Sequence, residues 1–290
     1  MRASAIEFRL RFPIIAAIVI LGFWAPWIGE ADLANRISLL EWLALEASRT
    51  GILRFTYATP ALIVLAGLLG LIGAALRVWG TAYLGHLTVH NPKMLAGSVM
   101  ADGPYRYVRN PLYVGALFTM AATAFVMPPS GALVAAVLLP VFYVRLALGE
   151  EAFLFATLGQ PYRDYLAAVP RFIPRLRTSL PHAGNKPHWL TAIFTEIYPI
   201  GVFVTLGGLA WRYDHQLMLE GIFWSFVVSL VVRGLMTAVI PTLACVAFIA
   251  VAGGWFHMSW LRAALIGVGV WLILRAIFDG PAKVKTHEPA

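Results

Sequence analysis

Residues 110–148 read NPLYVGALFTMAATAFVMPPSGALVAAVLLPVFYVRLAL. Two apolar stretches, 110–127 and 131–148, flank the short run Met127-Pro128-Pro129-Ser130-Gly131. Each stretch falls within the roughly 17–25 residues that carry a helix across a bilayer. A Pro-Pro-Ser-Gly run cannot continue a helix and marks a tight turn. The segment therefore predicts a transmembrane helical hairpin, and with it an all-α, polytopic membrane fold.

The rest of the chain agrees. Of 290 residues, 60% are hydrophobic and 12% charged, with mean hydropathy +0.77. A soluble domain carries about 25% charged residues, so this chain has too few to coat a wetted surface, and too much apolar content for intrinsic disorder. Further spans are predicted at 12–29, 58–76, 189–210, 217–232, 234–254 and 259–276. That makes about eight, or seven if 217–254 is one bent helix, because only Arg233 and Gly234 separate the last pair but one. The run from Phe12, preceded by Arg2, Arg9 and Arg11, outlasts a signal-peptide core and reads as a retained span. Segment 30–55 mixes acids, arginines and leucines like an external helix lying at the interface.

The net charge of +8 follows the same topology. With both termini in the cytoplasm, only Arg36, Arg49, Arg54, Arg212 and Arg262 of the 22 basic residues lie outside. Cytoplasmic loops carry such a surplus of Lys and Arg. No basic stripe or zinc pattern points to nucleic acid. The single Cys245 forms no intrachain disulfide, and the seven histidines show no metal-ligand spacing. Gly67, Gly70 and Gly73 follow no strand, so they read as helix packing and not as a nucleotide loop. The expected organisation is 1–57, an N-terminal span with the external segment; 58–187, a core; and 188–290, a further bundle.

Two polar segments of the core, 77–109 and 149–188, hold most of the reactive side chains on the cytoplasmic side. Gly103 to Gly115 concentrates Tyr105, Tyr107, Arg109, Asn110 and Tyr113 at the mouth of a span. Arginine pairs bidentately with carboxylates, and tyrosine offers a ring face to a cation. The bland alternative is an interfacial anchor. Glu150-Glu151 is an unusual pair in a chain with 14 acids, and its bland partners are Arg145 or Arg163. Tyr162 and Tyr165 share a helix face, and Pro170 and Pro174 end that helix.

Taken together these motifs resemble the membrane-embedded methyltransferases grouped with isoprenylcysteine carboxyl methyltransferase and the phospholipid N-methyltransferases. The family carries G-x-Y-x-x-x-R-[HN]-P-x-Y-x-G, then E-E, then G-x-x-Y-x-x-Y, then V-P-x-x-[IL]-P. Here these are Gly103 to Gly115, Glu150-Glu151, Gly159 to Tyr165, and Val169 to Pro174. Arg77, Gly80 and Tyr83 match an upstream element, so the likeness runs from about 58 to 177.

The resemblance implies a cytoplasmic site for S-adenosylmethionine and a lipophilic acceptor entering between helices. It places Tyr105, Arg109, Asn110, Pro111, Tyr113, Glu150, Tyr162, Tyr165 and Arg171 at the cofactor, and Glu150, Glu151 and Arg145 as catalytic candidates. No metal is implied. Position 110 is commonly histidine in the family; asparagine keeps a donor and an acceptor but cannot titrate. The family arginine four residues before E-E falls on Leu146, with Arg145 one residue off. The setting expected is a bacterial inner membrane, with membrane lipids as surroundings and the acceptor a carboxylate, amine or thiol. The competing readings are an NADPH-dependent membrane reductase of the sterol-reductase type and a transporter or scaffold.

Overall fold

The computed structural model describes residues 2–24, 37–85, 99, 101–178, 180–209, 212 and 214–237. Residues 1–225 form one compact unit and 226–290 a second; every site below lies in the first. The described residues form α1 (Ala5–Arg9), α2 (Arg11–Trp24), α3 (Leu39–Arg49), α4 (Phe55–Leu84), a 3-10 turn (Gly103–Arg106), α5 (Pro111–Ala124), α6 (Pro129–Leu158), α7 (Gln160–Ala168), α8 (Trp189–Thr195), α9 (Ile197–Val204), a π turn (Thr205–Leu209) and α10 (His215–Thr237). No strand occurs among them.

The hairpin of 110–148 is present as α5 and α6, with the turn where the prolines require it. Pro129 opens α6, a position where its missing N–H costs nothing. The helices differ in length from the apolar stretches, however. Both α4 and α6 have 30 residues and are apolar enough to cross a membrane. At 1.5 Å per residue each is about 45 Å long, some 15 Å more than the hydrocarbon core. Both start at the turn end, so about 20 residues carry each across. Arg77 on α4 and Glu150 and Glu151 on α6 then fall near the opposite border. The two expected polar segments thus begin as helix, with Gly85 and Gly159 as the C-caps of α4 and α6.

The other spans are altered in particular ways. Helices α2 and α5 have 14 residues each, shorter than a full crossing. The stretch 189–210 is not one straight span: α8 and the helix that follows it meet at a 70° bend at Glu196. Helix α10 runs through Arg233 and Gly234 without interruption to Thr237. The stretches expected at 234–254 and 259–276 extend beyond or lie outside the described residues.

Helix α3 (Leu39–Arg49) is two-faced. Ser38 and Glu41 form a reciprocal capping box, with Glu41 N donating to Ser38 Oγ and Ser38 N to Glu41 Oε2. Leu40 and Ala44 are buried, while Trp42 and Leu45 are exposed. The N–H groups of Leu39 and Leu40 donate to the carbonyls of Met127 and Phe125, tying α3 to the turn end of the hairpin.

The seam that positions the site is α4 against α5. A Cβ on Gly73 would lie 2.5 Å from Thr119 Oγ1 and 2.9 Å from the Gly115 carbonyl, so only glycine lets these backbones meet. Gly70 packs likewise on Phe203, whereas Gly67 meets nothing within 4 Å. Small-residue packing therefore accounts for two of the three glycines.

Candidate functional site

The two motif segments are stitched together through their backbones. Arg109 N donates to the Pro170 carbonyl at 2.9 Å, and Arg175 N to the Tyr107 carbonyl at 3.0 Å. Pro170 and Pro174 end α7 and turn the chain, which brings 170–175 back along 107–109. Gly103 holds φ +54 beneath the Tyr83 ring, where a side chain has neither the backbone freedom nor the room. Asp102 clamps the following segment. Its carboxylate accepts from Ala183 N (3.0 Å), Asn185 N (2.8 Å) and Asn185 Nδ2 (2.9 Å). Burial pushes the Asp102 carboxyl up, but these donors outweigh it and hold it below the ordinary aspartate range. Arg106 donates to the Leu180 carbonyl and lies 2.7 Å from His182 Nε2, closing the same strap.

At the centre lies Glu151, 7% exposed. Arg171 grips it with Nε at 3.0 Å and Nη2 at 2.8 Å, both to Oε2. Asn110 Nδ2 donates to Glu151 Oε1 at 3.2 Å and to the Arg171 carbonyl at 3.3 Å. Arg109 Nε stands 3.5 Å from Glu151 Oε1, close enough for attraction but without a hydrogen bond. The Glu151 bond and charge raise the Arg171 pKa against the opposing pull of burial.

Glu150, one residue earlier, has far fewer partners. Tyr113 Oη donates to its Oε2 at 3.1 Å, and among the described residues no hydrogen bond reaches Oε1. The Tyr113 ring leans on Tyr143 at 5.6 Å. Tyr162 and Tyr165 are buried with centroids 5.8 Å apart, and Tyr165 Oη donates to the Tyr105 carbonyl at 2.8 Å. Burial foremost, then neighbouring charges and hydroxyls, pushes the phenols of Tyr105, Tyr162 and Tyr165 upward, so they stay neutral near pH 7.

The structure thus gathers Tyr105, Arg109, Asn110, Glu150, Glu151, Tyr113, Tyr162, Tyr165 and Arg171 around two helix ends and the 3-10 turn. Pro111 is the buried first residue of α5 and sets Asn110 before it. Arg145 goes elsewhere: its Nη2 binds Glu7 Oε1 of α1 at 2.7 Å. The partners suggested by proximity in sequence, Arg145 or Arg163, are replaced by Arg171 and Arg109. Leu146, at the family's arginine position, is fully buried in the apolar core.

Three buried atoms lack a hydrogen bond among the described residues, and two of them are here: Tyr105 Oη and Arg109 Nε. Together with Glu150 Oε1 they make a set of one hydroxyl, one cationic donor and one anionic acceptor. A buried polar group left unpaired costs about 1–3 kcal/mol, more when charged. Such a set matches a ligand that carries both a carboxylate and an ammonium group.

Glu196 escaped the sequence reading. It sits at the α8–α9 bend, wholly buried, with Arg77 Nε at 2.6 Å and Nη2 at 2.9 Å. The signal was available: a lone carboxylate within an apolar stretch is costly and marks a site by default. Asp102 had no such signal, since its partners lie some eighty residues further on.

Comparison with known proteins adds one match. A family model described as phospholipid methyltransferase matches residues 61–160. No curated protein and no solved structure matches the chain. The matched segment runs from the second turn of α4 to the start of α7. It bears out, over those residues, the resemblance to membrane methyltransferases. Residues 162–171 and Glu196 lie beyond it.

Proposed function

We propose that the protein transfers a methyl group from S-adenosylmethionine to a lipophilic acceptor at the cytoplasmic face of the membrane. The observation that carries the reading is that two buried atoms within the matched segment, Tyr105 Oη and Arg109 Nε, make no hydrogen bond among the described residues, beside Glu150, whose Oε1 is likewise without one. Arg109 would take the cofactor's carboxylate, and Glu150 its amino group or ribose hydroxyls. When bound, S-adenosylmethionine supplies an electrophilic methyl group on a sulfonium. The chain's own task is then alignment, cation stabilisation and exclusion of water.

The residues divide that work. Neutral tyrosine rings at 105, 113, 162 and 165 present π faces to a cation and wall off water. Glu151, Asn110 and Arg171 satisfy one another and hold the 170–175 segment over the site. Because Glu151 is already engaged by Asn110 and Arg171, Glu150 is the carboxylate with spare capacity. A carboxylate or thiolate acceptor needs no base; an amine acceptor must release a proton, and Glu150 or water would receive it. The lipophilic acceptor reaches the site from the bilayer flanking α4 and α6.

Incubation of the protein in nanodiscs with a total membrane lipid extract and methyl-labelled S-adenosylmethionine tests this directly. Label is expected in the lipid phase. A folded protein that labels no lipid-soluble product would overturn the proposal.

A further inference from the structure

A second buried ion pair stands apart from the Glu151 cluster and outside the roles given above. Arg77 of α4 meets Glu196 through two parallel bonds, 2.6 and 2.9 Å, with side-chain exposures of 15% and 0%. Thr81 Oγ1 donates to Glu196 Oε1 at 2.7 Å. The remaining Arg77 nitrogen, Nη1, donates to the Leu112 carbonyl at 3.3 Å.

That last bond decides what the pair is for. Leu112 lies in the first turn of α5, between Asn110, which holds Glu151, and Tyr113, which holds Glu150. One turn further along α4, a Cβ on Gly80 would lie 2.7 Å from Leu112 Cδ2 and 3.5 Å from Tyr105 Oη. The same face of α4 therefore backs the α5 turn and one of the unpaired site groups. If the pair only glued α8 and α9 onto α4, apolar side chains of similar volume would do as well or better, since burying two charges costs about what their attraction returns. An arginine with a third bond to a turn that presents two site residues does something apolar side chains cannot.

We infer that Glu196 is a positioning residue: it orients Arg77 against the Leu112 carbonyl, which fixes the rotation of the first turn of α5 and so the settings of Asn110 and Tyr113. The inference rests on the reading of the site as one for S-adenosylmethionine. It gives the segment after residue 188 a part in the site, through a residue outside the matched family segment.

The test uses the full chain in nanodiscs, calorimetric affinity for S-adenosylmethionine and the melting temperature. The variants are the apolar pair Arg77→Met/Glu196→Leu and the single Arg77→Lys, which keeps a charge for Glu196 but loses the fork that also reaches Leu112. Affinity is expected to fall at least about tenfold in both, with melting within a few degrees of the parent for at least one of them. Parent-like affinity in a folded variant of either kind overturns the inference. Affinity and melting that fall only in step, in both variants, also overturn it and leave a structural role. If the parent itself binds no S-adenosylmethionine, the fault lies in the reading of the site instead.

Discussion

Two buried ionic clusters sit at the same end of α4 and α6, and they differ in how fully they are satisfied. Around Glu196 the pairing is tight: Arg77 spends its donors on the carboxylate and on Leu112, and Thr81 adds another. Around Glu150 and Glu151 the satisfaction is partial. Glu151 is well held, yet Arg109 Nε, Tyr105 Oη and one Glu150 oxygen remain without hydrogen bonds among the described residues. Arg109 Nε and Tyr105 Oη are buried, and buried polar atoms are nearly always paired, which supports the proposed ligand site beside them. The satisfied cluster holds the frame; the unsatisfied one holds back capacity for a partner.

That contrast yields graded expectations. The largest effect falls on the orphans: Arg109→Ala and Glu150→Ala should each weaken S-adenosylmethionine binding by 30-fold or more, about 2 kcal/mol, without preventing insertion. Parent-like affinity in both, by calorimetry, would break the contrast at its base. On the framework side, Gly73→Val drives a branched side chain into Thr119 and the Gly115 carbonyl. It should cost about 1–3 kcal/mol and lower the melting temperature by several degrees. An unaltered melt would show that the α4–α5 seam is looser than its geometry.

The Asp102 strap sharpens the comparison through pH. Its folded pKa is lowered, so it contributes stability above the unfolded value, and that stability is lost as pH falls through the lowered folded one. Asp102→Asn should cost about 1–2 kcal/mol near pH 7 and flatten the melting temperature across the acid range. A variant as acid-sensitive as the parent would contradict the assignment. The smallest effect is expected from Asn110→His. Histidine retains a donor for Glu151, so affinity should stay within a few-fold, while a new pH dependence appears near 6–7. A pH-independent affinity would place position 110 away from the bound ligand.

How much of this was legible beforehand depended on the range of the interactions. The hairpin was readable because Pro128 and Pro129 break the helix between two apolar runs. The candidate residues could be named because four motifs occur in order, and the fold brings most of them together. Their pairing was not: Arg171 and Arg109 reach Glu151 only after Pro170 and Pro174 fold the chain back, which sequence proximity to Arg145 or Arg163 could not anticipate. The true lengths of α4 and α6 were hidden because polar residues continue a helix once it leaves the apolar layer. The bend at Glu196 was missed because the run 189–210 is apolar on average, although Pro199, which removes the bond to the Thr195 carbonyl, follows the bend by three residues.

An S-adenosylmethionine site is expected at Tyr105, Arg109 and Glu150. Calorimetric titration of S-adenosylmethionine into the parent protein in nanodiscs, beside Arg109→Ala, tests it most directly. Saturable binding at one site per chain, lost in the variant, is predicted. No binding to a folded parent, or equal binding to both, would contradict it.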